Sequence, residues 1–228
     1  MAGGKLTPRQ KMINLMYLVF IAMLAMNMSK EVLSAFGLIN ERFEAANASA
    51  TSTNEQMLQA LDTKASEAKG EFIAAAATAH KVQAATKKFY DFVGTLKAEV
   101  LKGVEVDKET GKLPYEAMDK ADNLDHSWFT GDGYTSRGKE VMSAIEAYKA
   151  EMNAALSDKK YAPILNELNK KFDLSEVKDK EGVKIKYLDY HFKGFPAIAS
   201  LAKLTAWQND AKKAESDVIS SALGKAAV

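Results

Sequence analysis

The chain has 228 residues, a formal net charge of +1, and 47% apolar and 27% charged residues, which is typical of a folded domain and not of a disordered segment. Because cysteine is absent, disulfide scaffolds, thiolate metal sites and cysteine nucleophiles are excluded. A nucleic-acid-binding surface needs an excess of basic residues, and the near-neutral balance argues against one.

The first predicted element is an apolar helix close to the N-terminus. Thr7, Pro8 and Gln10 are typical of a helix start, with Thr7 as N-cap, Pro8 as first helical residue and Gln10 completing a capping box. The apolar run from Met12 to Met28 gives a helix of about 26 Å. This length is compatible with a signal peptide, with a buried core helix and with a membrane span. The run lacks the small residues of a cleavage site and has no polar face. We therefore expect a membrane span.

The distribution of charge predicts how this span is oriented. The first thirty residues contain no acidic residue and these basic ones: Lys5, Arg9, Lys11 and Lys30. The rest of the chain carries more acidic than basic residues. By the positive-inside rule, we expect residues 1–10 to be cytoplasmic, residues 11–35 to form the transmembrane helix, and residues 36–228 to form a periplasmic domain. The expected location is the bacterial inner membrane.

Beyond the span, apolar residues continue at helical spacing in two stripes. The first follows the span without a proline and predicts a rigid stalk: Val32, Phe36, Ile39, Phe43 and Ala46. After a polar patch, the second stripe is rich in alanine and advances by three and four residues: Leu58, Leu61, Ala65, Ala68, Phe72, Ala75, Ala79, Val82, Thr86, Phe89, Val93, Leu96 and Val100. This spacing is typical of close helix packing, and we expect it to form a homodimer or higher parallel assembly. Packing of the second stripe within its own bundle is the alternative.

The remaining chain alternates helices with irregular segments. Helices are predicted over 136–156, 163–172 and 196–223. Regular patterning stops over 103–138 and again over 173–196, where glycines indicate hairpins or turns. The predicted fold class is all-α, with a single N-terminal transmembrane helix followed by a periplasmic helical bundle with two irregular, partly hairpin-like excursions.

No motif in the predicted bundle indicates catalysis. The segment "GYTSRGKE" has the spacing of a phosphate-binding loop up to Lys139, but Glu140 stands where a hydroxyl must bind magnesium. His126 lies four residues after Asp122, and two ligands without a third make no metal site. We expect no enzyme activity, no cofactor and no metal.

Polar residues within the predicted span give the candidate site. On a helical wheel Arg9 and Asn27 fall on one narrow face, with Tyr17 on its flank. Polar side chains in a span lose hydrogen bonds to water, so they usually face another protein. A cation in the first turn also opposes the helix dipole, at a cost of about 0.3 to 1 kcal/mol. Arg9, Tyr17 and Asn27 are therefore predicted to bind a partner within the membrane. The alternative for Arg9 is a charge that only sets topology.

The N-terminal segment "KLTPRQKMINLMYLVFIAMLAMNMSKEVLSAFGLINERFE" closely resembles the start of the GldM family, also called PorM, of the gliding-motility and type IX secretion machinery. The resemblance is strongest over residues 5–44. It implies one span, a helical first periplasmic domain, and a multi-span partner of the GldL (PorL) type, which together form an inner-membrane motor driven by the proton-motive force. It also implies that the arginine of "TPRQK", Arg9, pairs with an acidic residue of the partner and that Tyr17 belongs to the motor core.

One property of the N-terminal segment fits this implication. A proton-driven motor needs a titratable group in the membrane, and residues 1–30 contain no aspartate, glutamate or histidine. The partner must then carry the titratable acid, with Arg9 as its counter-ion. The alternative function is a single-span periplasmic ligand-sensing or scaffold protein without motor function. A transmembrane sensor needs a cytoplasmic output module, which about ten residues cannot provide.

Overall fold

A computed structural model describes residues 7–26, 29–67, 70–131 and 133–224, and the prediction of a helical fold is confirmed over them. The α-helices of this part are α1 (Pro8–Met26), α2 (Lys30–Glu67), α3 (Glu71–Val100), α4 (Asp122–Trp128), α5 (Ser136–Ala155), α6 (Ala162–Lys171), α7 (Tyr187–His191) and α8 (Ala197–Ala222). Short 3-10 helices cover Tyr115–Ala117 and Lys159–Tyr161.

The N-terminus of α1 matches the predicted helix start in part. Thr7 caps the helix, because its Oγ1 accepts from the backbone N–H of Gln10 at 3.2 Å, and Pro8 is the first helical residue. The side chain of Gln10 donates instead to Asn14 at 3.4 Å, so the observed cap is one-sided. Within the part of the chain that the structure describes, no helix combines the length and the apolarity needed to cross a membrane.

The start of α2 lies within the range 11–35 that was predicted for the transmembrane helix. Ser29 caps α2 by accepting from the backbone N–H of Val32 at 3.3 Å, and α2 begins at Lys30. Leu33 is only 1% exposed and belongs to the core of the bundle. Residues 30–35 therefore belong to α2, which has its own N-terminal cap at Ser29.

Contacts between the helices fix their directions. α3 runs antiparallel to α2, and α5 runs antiparallel to α3. α8 is parallel to α2, and α6 is antiparallel to α8. The pairs that show this are Glu44 with Lys97 and Asp62 with His80 (α2 and α3), Lys88 with Glu151 and Glu99 with Arg137 (α3 and α5), Asn40 with Thr205 and Asn54 with Lys212 (α2 and α8), and Glu167 with Lys213 and Lys171 with Asp210 (α6 and α8).

α8 is the central helix of this bundle. It packs against α2, α3 and α6, and most of its side chains are buried. Around it Phe89 stacks on Tyr148 with ring centroids 4.6 Å apart, and the edge of Phe172 meets both rings. Trp207 of α8 packs against Phe172 with centroids 6.4 Å apart. Such aromatic pairs add about 0.5 to 1.5 kcal/mol each to the free energy of burial.

The alanine-rich stripe predicted after Leu58 is buried as expected but lies inside one bundle. It is divided between α2 and the antiparallel α3, and residue 68 lies outside the described residues. Its distal part forms a second core cluster with the end of α8: Leu58, Leu61, Ala75, Ala76, Ala79, Ile219, Ala222 and Leu223. The seam therefore packs within its own bundle, and it no longer supports self-association.

The stripe predicted for the start of α2 is on the wrong face of the helix. Val32 is 43% exposed and Ile39 is 45% exposed, although Phe36 packs against the core. The residues of this part of α2 that are buried instead include Asn40 and Asn47. Polar side chains thus occupy the face toward α8.

Each of the two irregular excursions contains one short hairpin, and the first lies at residues 129–134. β1 (Phe129–Thr130) pairs antiparallel with β2 (Gly133–Tyr134), and β3 (Val177–Lys178) pairs antiparallel with β4 (Lys184–Ile185). The short helices α4 and α7 were not predicted.

In the segment that resembles a phosphate-binding loop, Thr135 caps α5, and a Cβ on Gly138 would overlap the carbonyl oxygen of Trp128. The glycine is required for packing between α4 and α5.

Candidate functional site

The predicted site residues on α1 are exposed where the structure describes them. Arg9 and Tyr17 lie on α1 roughly two helical turns apart, and Tyr17 is 63% exposed. Asn27 lies outside the described residues. The described side chains bring no acidic group to Arg9 or Tyr17, so their role in binding a partner stays a prediction.

The apolar side chains around Arg9 and Tyr17 are also uncovered. The large apolar residues of α1 that are exposed are Met12, Ile13, Leu15, Met16, Leu18, Val19, Phe20 and Ile21. They follow one another along the chain and therefore surround the helix instead of forming one stripe. A folded protein in water rarely leaves a continuous apolar surface of this kind open, so this surface needs a lipid or protein cover.

A second candidate site is a row of buried polar residues between α2 and α8, which we name the polar seam. It comprises Asn40, Asn47 and Asn54 of α2 with Thr205, Gln208, Asn209, Lys212 and Glu215 of α8. The three asparagines are 5%, 1% and 1% exposed, so each needs hydrogen-bond partners within the protein.

Asn47 lies at the middle of the polar seam, and both the Nδ2 and the Oδ1 of its side chain form hydrogen bonds to α8. Its Nδ2 donates to the carbonyl oxygen of Thr205 at 3.1 Å, and its Oδ1 accepts from Nδ2 of Asn209 at 3.0 Å. Toward the start of α2, the hydroxyl of Thr205 donates to Oδ1 of Asn40 at 2.7 Å. Because an asparagine side chain is short, these bonds require close approach of the two helices.

The distal end of the polar seam contains a buried ion pair. Lys212 Nζ lies 3.0 Å from Glu215 Oε2, and the two side chains are 11% and 2% exposed. Asn54 Nδ2 donates to the same carboxylate oxygen at 3.2 Å and to the carbonyl oxygen of Lys212 at 3.1 Å. A carboxylate at this depth is tolerated only because it is paired and hydrogen-bonded.

α3 joins the polar seam through Gln208. This side chain is 2% exposed, and its Nε2 donates to the carbonyl oxygen of Tyr90 at 3.0 Å. Its Oε1 accepts from Lys97 Nζ at 3.0 Å, and Lys97 also pairs with Glu44 of α2. The three helices are thus tied together by one hydrogen-bonded network.

Sequence reasoning missed the polar seam, although a signal was present. Asn40, Asn47 and Asn54 are spaced by seven residues, the repeat of a helix-packing seam. Hydrophobic periodicity alone shows this stretch only as a polar interruption between two apolar stripes. A polar residue that recurs at heptad spacing indicates a buried, hydrogen-bonded position.

His126, His191 and Lys203 lie outside the polar seam. His126 Nδ1 donates to the carbonyl oxygen of Asp122 at 2.7 Å, and among the described residues no group of acidic or histidine side chains could hold a metal ion. Lys203 donates to the carbonyl oxygen of His191 and lies over the Phe195 ring, 3.3 Å from its centroid. Burial lowers the pKa of Lys203 to about 8, and burial beside Lys203 lowers the pKa of His191.

Comparison with known proteins identifies a family for the bundle. A family model described as the GldM N-terminal domain matches residues 31–225, which contain α2 to α8. No curated protein sequence matches the chain. The start of the match at residue 31 coincides with the first turn of α2.

Proposed function

The chain belongs to the GldM (PorM) family of the gliding-motility and type IX secretion machinery, and from this premise we propose that it is a single-span subunit of the inner-membrane motor. In this proposal, a partner of the GldL (PorL) type uses the proton-motive force, and this chain passes the resulting motion from the membrane into the periplasm. The chain has no catalytic role of its own.

The observation that carries the proposal is the uncovered apolar surface of α1, joined closely to a well-packed bundle. α1 presents large apolar side chains on all sides, and the apolar run of the sequence continues beyond the described side chains to Met28. Basic residues flank this run on its N-terminal side, which supports a cytoplasmic N-terminus and a periplasmic bundle. Leu33, four residues after the cap of α2, is already in the core of the bundle. Motion of the membrane segment is therefore delivered close to the base of a rigid domain.

Arg9 is the residue that we assign to the contact with the partner. It is the cation nearest to the apolar run that also lies on the face of Asn27, with Tyr17 beside it. Residues 1–30 contain no aspartate, glutamate or histidine, so in this proposal the acid that takes up and releases protons belongs to the partner. In low dielectric, loss of one member of such a pair typically costs about 3 to 5 kcal/mol, because the other charge stays buried without its partner.

The test compares three variants of the full chain. Arg9→Ala is expected to abolish secretion and gliding without changing membrane orientation, since the other basic residues still mark the cytoplasmic side. Arg9→Lys is expected to lose most activity, because an ammonium cannot hold a carboxylate with two parallel hydrogen bonds. Lys11→Ala removes a neighbouring charge of α1 and serves as the matched control, with motility retained.

Motility, orientation and co-purification with the partner are measured for each variant. A topology-setting role for Arg9 predicts the opposite pattern, with Arg9→Lys fully active and Arg9→Ala partly inverted in the membrane. Full motility of the Arg9→Ala variant would contradict the motor role.

Self-association of the chain is proposed on a different surface from the one that the sequence indicated. Val32, Leu38 and Ile39 of α2 are exposed by 43%, 59% and 45%, and they lie directly after the membrane segment. We place the contact between two parallel copies there. A complex whose mass in detergent corresponds to a single copy of this chain would contradict it.

A further inference from the structure

The interface between α2 and α8 is apolar at its two ends and polar between them. Leu33 belongs to the main core near the start of α2, and Leu58 and Leu61 pack with the end of α8. Between these ends, Asn40, Asn47 and Asn54 face α8. Apolar side chains of similar size at these positions would bury more hydrophobic surface, so the asparagines are not explained by stability alone.

One hydrogen bond is repeated along the polar seam at equal spacing. Asn47 Nδ2 donates to the carbonyl oxygen of Thr205, and Asn54 Nδ2 donates to that of Lys212, both at 3.1 Å and both across a sequence separation of 158 residues. The acceptors are backbone atoms, whose positions depend on the helix and not on a side-chain rotamer. Both hydrogen bonds therefore form only when α2 has this axial position relative to α8.

Such bonds respond to sliding far more sharply than apolar contacts do. A slip by one residue moves a helix about 1.5 Å along its axis and brings the next residue, about 100° further round the helix, to the interface, so the asparagine no longer faces its carbonyl acceptor. A slip by one heptad, about 10.5 Å, would bring asparagines opposite carbonyl oxygens again. It would still lose the bonds of Asn40 to Thr205 and of Asn54 to Glu215.

We propose that the polar seam is a register lock that holds α2 in one axial position against α8. Buried asparagines at heptad positions are known to fix register between paired helices at a cost in stability. Here the lock acts within one chain, on the helix that follows the N-terminal apolar segment. The register itself does not depend on the proposed function. Its use, to make the bundle follow a displacement of α1 without slipping, rests on that function.

Spin labels on α2 and α8 test the lock in the full chain, solubilised in detergent. The chain has no native cysteine, so Glu31→Cys and Lys213→Cys provide two unique labelling positions, both exposed and far apart along the bundle axis. The distance between the labels is measured by pulsed double electron–electron resonance. Because their separation is mainly axial, a slip by one heptad changes it by about 10 Å.

The test variant is Asn47→Leu combined with Asn54→Leu. A single narrow distance is expected without these changes, and a broadened distribution or a second population displaced by about 10 Å is expected with them. Asn153→Leu is the matched control, because Asn153 is exposed on α5 and bonds only to its own helix in the described contacts. It is expected to leave the distance unchanged.

One narrow distance in the double variant would overturn the register lock. If the double variant loses its helical circular dichroism, each single variant is measured instead. A broadened distance in either single variant supports the lock, and narrow distances in both would overturn it, since the asparagines would then serve folding and not register. Motility of the same variants separates the two parts of the inference: lost register with full motility would overturn only the role in transmission.

Discussion

Replacement of Gly37 by alanine tests whether close packing of the Tyr115 ring on α2 requires a glycine at this position. Gly37 is buried in α2, and a Cβ added there would lie 2.6 Å from Cε2 of the Tyr115 ring and closer still to Cγ and Cδ2. The ring itself is fixed by its hydroxyl, which donates to Glu41 Oε1 at 2.6 Å. This bond lowers the pKa of Glu41 and contributes to raising the pKa of Tyr115 to about 12, where burial is the larger cause.

The expected magnitude for Gly37→Ala combines opposing effects. Alanine in place of glycine within a helix stabilises by about 1 kcal/mol from propensity alone. Displacement of a packed ring costs about 1 to 3 kcal/mol, and loss of the tyrosine hydrogen bond costs about 1 kcal/mol more. Gly37→Ala is therefore expected to lower the free energy of unfolding by about 1 to 3 kcal/mol.

Chemical denaturation followed by circular dichroism measures this change, and Gly94→Ala is its matched control. A Cβ on Gly94 of α3 would meet no atom within 4 Å, so the same substitution is expected to stabilise there by up to about 1 kcal/mol. In a Tyr115→Ala background, Gly37→Ala is expected to become neutral or stabilising, because the clash has been removed. A Gly37→Ala variant at least as stable as the wild type would refute the reasoning.

Further variants probe the core of the bundle. Gly138→Ala is expected to destabilise by about 1 to 3 kcal/mol, because the new Cβ overlaps the carbonyl oxygen of Trp128; a melting temperature equal to that of the wild type would contradict this. Glu215→Ala is expected to cost about 3 to 5 kcal/mol in denaturant unfolding, because Lys212 stays buried without its carboxylate, and a change below about 1 kcal/mol would show that the pair is not needed. Lys203 gives up its proton near pH 8 in the folded state but only near pH 10.5 when unfolded, so the free energy of unfolding is expected to rise between about pH 8 and pH 10; Lys203→Met should remove that rise.

The buried face of α2 shows where sequence patterning fails. Val32 and Ile39 have the spacing of a core stripe, yet both are exposed, and asparagines of α2 are buried in their place. Hydrophobic periodicity identifies a buried face only when burial is driven by apolar contact. A hydrogen-bonded interface leaves no apolar stripe, so the face was assigned to the wrong side of the helix.

The alanine-rich stripe shows a related limit. Most of its described residues are buried as predicted, but the stripe is divided between the antiparallel helices α2 and α3, and α8 covers its distal end. Heptad spacing indicates that a helix packs against another helix. It does not state whether that partner belongs to the same chain.

The sequence by itself determined α5, α6 and α8, the cap at Thr7 and the family, because these depend on local periodicity, on capping chemistry and on short motifs. The role of Arg9 and Tyr17 in binding a partner also comes from the sequence alone and stays a prediction. Only the tertiary structure decided that Leu33 is already in the core, that Gly37 receives the Tyr115 ring, and that a polar seam joins α2 to α8. These features depend on contacts between residues more than seventy positions apart. The free energy of such contacts comes from burial and from hydrogen bonds formed across helices, which no local stretch of sequence contains.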